Sequence, residues 1–148
     1  MYRNHSDHVE VLLVHPGGPF WIHKDKGAWS IPKGEYTEGE HPLEAAQREF
    51  REETNFSASG PFLELGTIKQ AGGKFVIAWA FRGNCNPAEL KSNLCQTEWP
   101  PHSGRQIEFP EVDRASWFSI AQAKEHILKS QEPLLDNLCQ SLRLNGTD

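Results

Sequence analysis

Three glutamates, Glu49, Glu52 and Glu53, stand three and four residues apart in the run Arg48-Glu49-Phe50-Arg51-Glu52-Glu53. On a helix those intervals bring side chains to one face, so the three carboxylates share a turn. Like charges that close repel one another, and a divalent cation removes the repulsion. Carboxylate oxygens are hard ligands that suit Mg2+ or Mn2+, with water and phosphate oxygens filling the remaining positions. Arg48, one turn before Glu52, is placed to hold that carboxylate through a forked hydrogen bond. Taken alone, an acidic trio is more often a solvated helix surface, so its setting has to decide.

The element that must carry the trio is a helix from Pro42 to Thr54. Pro42 suits a first helical position, where its missing N–H costs nothing, and Glu44 suits the positive end of the helix dipole. His41 is expected to be a poor N-cap, and Asn55 to take the left-handed turn that stops the helix. Leu43, Ala46 and Phe50 form the stripe expected to dock on a sheet. Ahead of the helix, Gly27 to Gly39 reads as a structured loop; Gly34 and Gly39 let it fold back, and Glu40 is placed to tie it down.

Val9 to Val14 reads as a strand ending in the turn residues His15-Pro16-Gly17-Gly18-Pro19, with Phe20-Trp21-Ile22 as a short second strand. Phe62 to Gln70 and Lys74 to Arg82 read as a hairpin across Ala71-Gly72-Gly73. Residues 83–105 carry Asn, Pro and Gly and read as a long irregular stretch, expected to be the substrate loop. Ser119 to Lys129 and Pro133 to Leu144 read as closing helices, the last packing on the domain or on a second subunit. Strands around a helix with helices again at the end predict an α/β fold, a mixed sheet flanked by helices.

A length of 148 residues fits one domain, 1–148, with one core. Net charge is -5, which disfavours a polynucleotide partner because general nucleic-acid binding is driven by attraction to phosphates. The apolar runs are too short to cross a bilayer and no leader opens the chain, so a cytoplasmic location is expected. Cys85, Cys95 and Cys139 lack CxxC spacing and read as reduced thiols. The seven His residues show no ligand spacing and read as incidental.

The spacing over a longer window sets the trio apart. From Gly34, five residues lead to Glu40, seven more to Arg48-Glu49, then a hydrophobe, one free position and Glu52-Glu53. This resembles the Nudix box, Gly-x5-Glu-x7-Arg-Glu-hydrophobe-x-Glu-Glu-x-Gly-hydrophobe. Here it reads GEYTEGEHPLEAAQREFREETNF from Gly34 to Phe56. Six fixed identities align by chance about once in ten million positions. The one departure is Asn55 in place of the late Gly, and Asn is the commonest substitute where a left-handed backbone is needed. Trp29-Ser30-Ile31-Pro32-Lys33-Gly34 resembles the lead-in of many members, and Trp117-Phe118 before a helix resembles their ending. Members also show a strand before the one at Val9, for which only Met1 to His8 is available, so that strand is expected to be short or missing.

The resemblance implies a Nudix-type α/β/α sandwich and a pyrophosphohydrolase. It implies that Glu49, Glu52 and Glu53 hold magnesium, or manganese, with a backbone carbonyl near Lys33 or Gly34. It implies a general base that is either a helix glutamate or a loop glutamate, for which Glu111 is the first candidate and Glu108 the second. Lys33, Trp99 and Arg105 are the candidate substrate contacts. Lys69, Lys74 and Arg82 for phosphate, and Phe20, Trp21 and Trp79 for a base, are weaker ones. The expected substrate is a small nucleoside diphosphate linked to a variable group. Pro32-Lys33-Gly34 resembles the lead-in of dinucleoside tetraphosphate hydrolases and of mRNA-decapping members. Alternatives are MutT-like removal of oxidised nucleoside triphosphates and a non-catalytic nucleotide-binding module. Such modules lose box carboxylates, whereas this chain keeps them all.

Overall fold

The computed structural model describes residues 1–33, 39–70 and 72–144. The chain starts with two antiparallel strands, β1 (Tyr2–His5) and β2 (His8–Pro16). Ser6 and Asp7 join them with φ of 49° and 65°, the doubly left-handed two-residue turn whose twist matches the flanking strands. A first strand is therefore present and only four residues long. β2 pairs on its other edge with β7 (Val112–Ser119), so the order in this sheet is β1-β2-β7.

The run Val11-Leu12-Leu13-Val14 is apolar throughout because both faces of the sheet are covered. Val11 and Leu13 pack with Phe118, Ala123, Leu135 and Leu138, on the side of α2 (Ile120–His126) and α3 (Glu132–Leu144). Leu12 packs with Phe50 and Phe81, on the side of α1 (Pro42–Thr54). Alternation along the strand thus feeds two apolar layers, which is the α/β/α sandwich. α3 closes the domain itself: Leu134, Leu135, Leu138 and Leu142 are buried, and Asn137 donates to the Leu65 carbonyl at 2.9 Å.

β3 (Phe62–Lys69) and β4 (Phe75–Phe81) form the expected hairpin. β4 leads to Arg82, which meets Tyr2 in a parallel bridge. The mixed character of the sheet rests on such single parallel bridges, because its extended ladders are antiparallel.

Several expectations are corrected. Phe20-Trp21-Ile22 is a turn, not a strand, closed by Trp21 N–H to the Gly18 carbonyl and Lys24 N–H to the Trp21 carbonyl. Residues 83–105 are irregular only in part. They contain a 3-10 turn at Pro87–Glu89 and β5 (Leu94–Glu98), which pairs with β6 (Gln106–Pro110) as a two-stranded ribbon. His41 does cap α1, its Nδ1 accepting from Leu43 N–H at 3.3 Å. A ring nitrogen without a proton accepts as a side-chain oxygen does, here at the long end of the hydrogen-bond range.

Asn55 stops α1 as expected, with φ 66° and its N–H on the Arg51 carbonyl at 2.8 Å. Since a side chain with Cβ is strained in this region and glycine is not, Asn55→Ala should cost about 1 kcal/mol and Asn55→Gly little or nothing. Chemical denaturation of the two variants beside the parent measures this difference.

Candidate active site

α1 presents its three glutamates at graded depth. Glu52 is exposed, Glu49 half-buried, and Glu53 only 4% exposed. The most deeply buried positions of the helix are Ala45, Phe50, Glu53 and Thr54; of the expected stripe Phe50 is among them, while Leu43 and Ala46 are half-buried. An ionisable side chain is therefore held inside the docking face, where charge is costly unless it is paired. Glu53 has a partner there: the Lys33 N–H donates to its Oε2 at 2.9 Å. Lys33 thus reaches the helix through its backbone. Gly34, the other backbone position expected to hold metal, lies outside the described residues.

Burial raises the Glu53 carboxyl to about 8, with the nearby charge of Glu111 as the next cause and that of Glu49 adding to it. Glu49 is also raised, first by burial and then by Glu52 and Glu111, against the lowering effect of Arg48. Four carboxylates thus feel one another across α1 and the β6–β7 bend. Arg48 offsets part of that charge. Its Nε and Nη2 grip Glu40 at 2.9 and 3.0 Å, while Nη1 lies 2.9 Å from Glu49 and 3.3 Å from Glu52. The guanidinium is held well above its ordinary range, by Glu40 first. The strongest fork therefore goes to Glu40 rather than to Glu52, and it ties the end of the box loop to the helix. Lysine cannot make that two-pronged contact. Arg48→Lys should accordingly lower kcat on the order of 10²-fold while keeping the fold, as seen by circular dichroism and steady-state kinetics together.

Glu111 reaches the site from the bend between β6 and β7. Two backbone bonds fix it, its N–H to the Asn93 carbonyl and its carbonyl to the Gly17 N–H, each 2.9 Å. Asn93 Nδ2 donates to Glu111 Oε2 at 2.8 Å, and Asn93 N–H donates to the Glu52 carbonyl at 3.0 Å. Asn93 therefore links the loop carboxylate to the last turn of α1. The contact spans eighteen positions on one side and forty-one on the other, so no local motif announces it. Glu108 points elsewhere, facing Gln96 across the ribbon at 3.5 Å.

The remaining candidates are spread out. Trp99 and Arg105 close the far end of the ribbon, joined by Trp99 N–H to the Arg105 carbonyl at 2.9 Å. Glu111 follows the opposite end, where Leu94 pairs with Pro110. The pairs between span roughly 13 Å at strand rise, so Trp99 and Arg105 start from the end of the ribbon opposite Glu111. Lys69 and Lys74 flank the β3–β4 turn, Arg82 follows β4, and Trp79 is half-buried opposite Glu64. Phe20 is 55% exposed and stacks edge-on to Trp21, with the Lys24 ammonium 3.5 Å over the Phe20 ring. The histidines are not all incidental. His15 is fully buried, Nδ1 2.8 Å from Asp113 and Nε2 2.6 Å from the Lys24 carbonyl, where it braces the turn after β2.

Among the described residues, no three His, Cys, Asp or Glu side chains already close on one point that could hold a metal ion. The donor set nevertheless fits a hard divalent cation. It offers carboxylate oxygens from Glu49, Glu52 and Glu53, and the burial and crowded like charges that raise Glu49 and Glu53 are what a bound cation would relieve.

A family model described as the NUDIX domain matches residues 2–138. The chain belongs to the Nudix family. Nudix hydrolases act on pyrophosphate bonds and generally use divalent metals, and this chain is a Nudix hydrolase with every charged position of the box in place. None of the curated proteins matches it in sequence. Its fold is similar to that of a C. elegans Ap4A hydrolase in a binary complex, with a TM-score of 0.64 and 20% identity over 96% of this chain and 93% of that one. It is also similar to the NUDIX domain of Shewanella oneidensis NrtR complexed with ADP ribose, with a TM-score of 0.63 and 18% identity over 95% and 82%. A mutT/nudix family protein from Listeria innocua follows, with a TM-score of 0.58 and 18% identity over 98% and 90%. No helix among the described residues of this Nudix chain is long and apolar enough to cross a membrane.

Proposed function

We propose that this Nudix hydrolase is a magnesium-dependent pyrophosphohydrolase, with manganese as a substitute. It would act in the cytoplasm on a small nucleoside diphosphate linked to a variable group, a dinucleoside polyphosphate foremost, rather than on a polynucleotide. The observation that carries this reading is the buried Glu53, held by the Lys33 N–H beside the charges of Glu49 and Glu111. A side chain placed at that cost inside a helix–sheet interface has a use beyond stability.

Glu49, Glu52 and Glu53 would hold the metal, with a backbone group at Gly34 as a further ligand. When bound, the metal supplies neutralisation of phosphate charge and a more acidic water. Glu111 takes the proton of the attacking water, with Asn93 holding its carboxylate in aim. Arg48 keeps Glu49 and Glu40 in register, which fixes the distance between the box loop and the helix. Lys33, Trp99 and Arg105 would serve the substrate, the last two from the far end of the ribbon. Phosphoryl transfer needs mainly positioning and charge neutralisation, and these residues supply both.

Proteins of this fold include an Ap4A hydrolase and an ADP-ribose complex, so those two compounds are the first to test, beside an oxidised nucleoside triphosphate. Product analysis with Mg2+ decides among them. Cleavage of diadenosine tetraphosphate at the highest kcat/KM supports the reading, and preference for the oxidised triphosphate replaces it by the MutT-like one.

A further inference from the structure

Gln131 is a fully buried polar side chain that the chemistry above does not use. It ends the 3-10 turn Lys129–Gln131 that joins α2 to α3. All its polar groups are engaged. Oε1 accepts from the Ile31 N–H at 3.0 Å, and Nε2 donates to Ser30 Oγ at 3.0 Å and to Gln70 Oε1 at 3.2 Å.

The segment it holds is the lead-in to the box. In an extended chain, alternate N–H groups point to the same edge. Here the Trp29 N–H goes to the His126 carbonyl at 2.9 Å, the Ile31 N–H to Gln131, and the Lys33 N–H to Glu53 at 2.9 Å. Ser30 faces the opposite edge and exchanges both backbone bonds with Val14 at 2.9 Å. Along the first edge a neighbouring strand would offer carbonyls in sequence. After Leu128 the chain leaves that edge for the 3-10 turn, and the Gln131 carboxamide takes the place of the missing carbonyl. Pro32 has no N–H, so Ile31 is the last backbone donor before Lys33 that can fix the register. A slip of one residue reverses which edge each N–H faces and turns Lys33 away from Glu53.

We infer that Gln131 is a positioning residue: its carboxamide sets the register of the Trp29–Lys33 segment so that the Lys33 N–H meets Glu53. The inference rests on the proposed role of Glu53 for its effect on metal, but its effect on Lys33 is independent of that role.

The test compares the full chain carrying Gln131→Met with Leu142→Ala, which is buried in the same core and serves as a control for lost stability alone. Two quantities are read: exchange of the Lys33 amide by NMR, and affinity for Mn2+ alone by electron paramagnetic resonance. Gln131→Met should speed Lys33 exchange at least about 10-fold while the Phe50 amide keeps its protection, and should weaken Mn2+ binding roughly 10-fold. Leu142→Ala should lower Tm and leave both unchanged. Parental Lys33 exchange in folded Gln131→Met, or an equal change in Leu142→Ala, overturns the inference. If Gln131→Met does not fold, Gln131→Asn keeps the carboxamide but is one methylene too short to span the gap, and the same Lys33 outcomes apply to it. A parent that binds no Mn2+ removes the proposed function, while Lys33 exchange still decides the role of Gln131.

Discussion

Glu53→Gln should abolish turnover, by on the order of 10³-fold, and at the same time make the metal-free protein more stable at alkaline pH. The two effects have one cause. In the folded, metal-free protein Glu53 holds its proton up to about 8, whereas the ordinary value is 4.5. The folded state therefore binds a proton that the unfolded state releases between those limits. Stability present below pH 4.5 is lost as pH rises towards 8, and Tm of the parent should fall across that window by on the order of 10 °C. Glutamine has no proton to release, so the variant keeps its Tm flat there. Added Mg2+ should reverse the fall in the parent at pH 8, where the ionised carboxylate can bind it, and not in the variant. Calorimetric scans from pH 5 to pH 8.5, with and without Mg2+, measure all three effects.

The second large effect belongs to Glu111. Its charge is felt by Glu49 and Glu53 from the bend between β6 and β7, and it is aimed by Asn93, which suits a proton acceptor better than a first metal ligand. Glu111→Gln keeps the hydrogen bond from Asn93, since a carboxamide oxygen also accepts. It should lower kcat by about 10²- to 10⁴-fold, leave KM within a few-fold, and leave Mn2+ affinity near the parent's. An equal loss of Mn2+ affinity would instead make Glu111 a metal ligand and return the base to α1.

Legibility in the sequence followed distance along the chain. Glu49, Glu52 and Glu53 could be placed together because helical spacing alone does it, and Asn55 because its backbone requirement is local. The depth of Glu53 was not legible: the apolar stripe Leu43, Ala46 and Phe50 marks only part of the docking face, whose deepest positions include Ala45 and Glu53. The ribbon was hidden by the Asn and Pro around it, although Thr97, Ile107 and Phe109 alternate with polar residues as a half-exposed strand should. Phe20-Trp21-Ile22 misled in the other direction. Aromatic and β-branched residues suggest a strand, yet the glycines and proline before them bend the chain into turns held by His15 and Lys24. Asn93 and Gln131 gave no local signal at all. Each acts through partners more than fifteen positions away, so only the fold shows what it touches.

The central claim is that the α1 carboxylates work through a divalent metal on a diphosphate bond. The most direct measurement is product formation from diadenosine tetraphosphate and ADP-ribose with Mg2+ and with chelator, for the parent beside Glu52→Gln and Glu53→Gln. Turnover of at least one compound by the parent, its loss on chelation, and loss of most of that rate in both variants are the expected results. Parental turnover that survives chelation or survives both substitutions would contradict the claim. So would a parent inactive on every nucleotide diphosphate derivative whose Tm nonetheless rises with one of them.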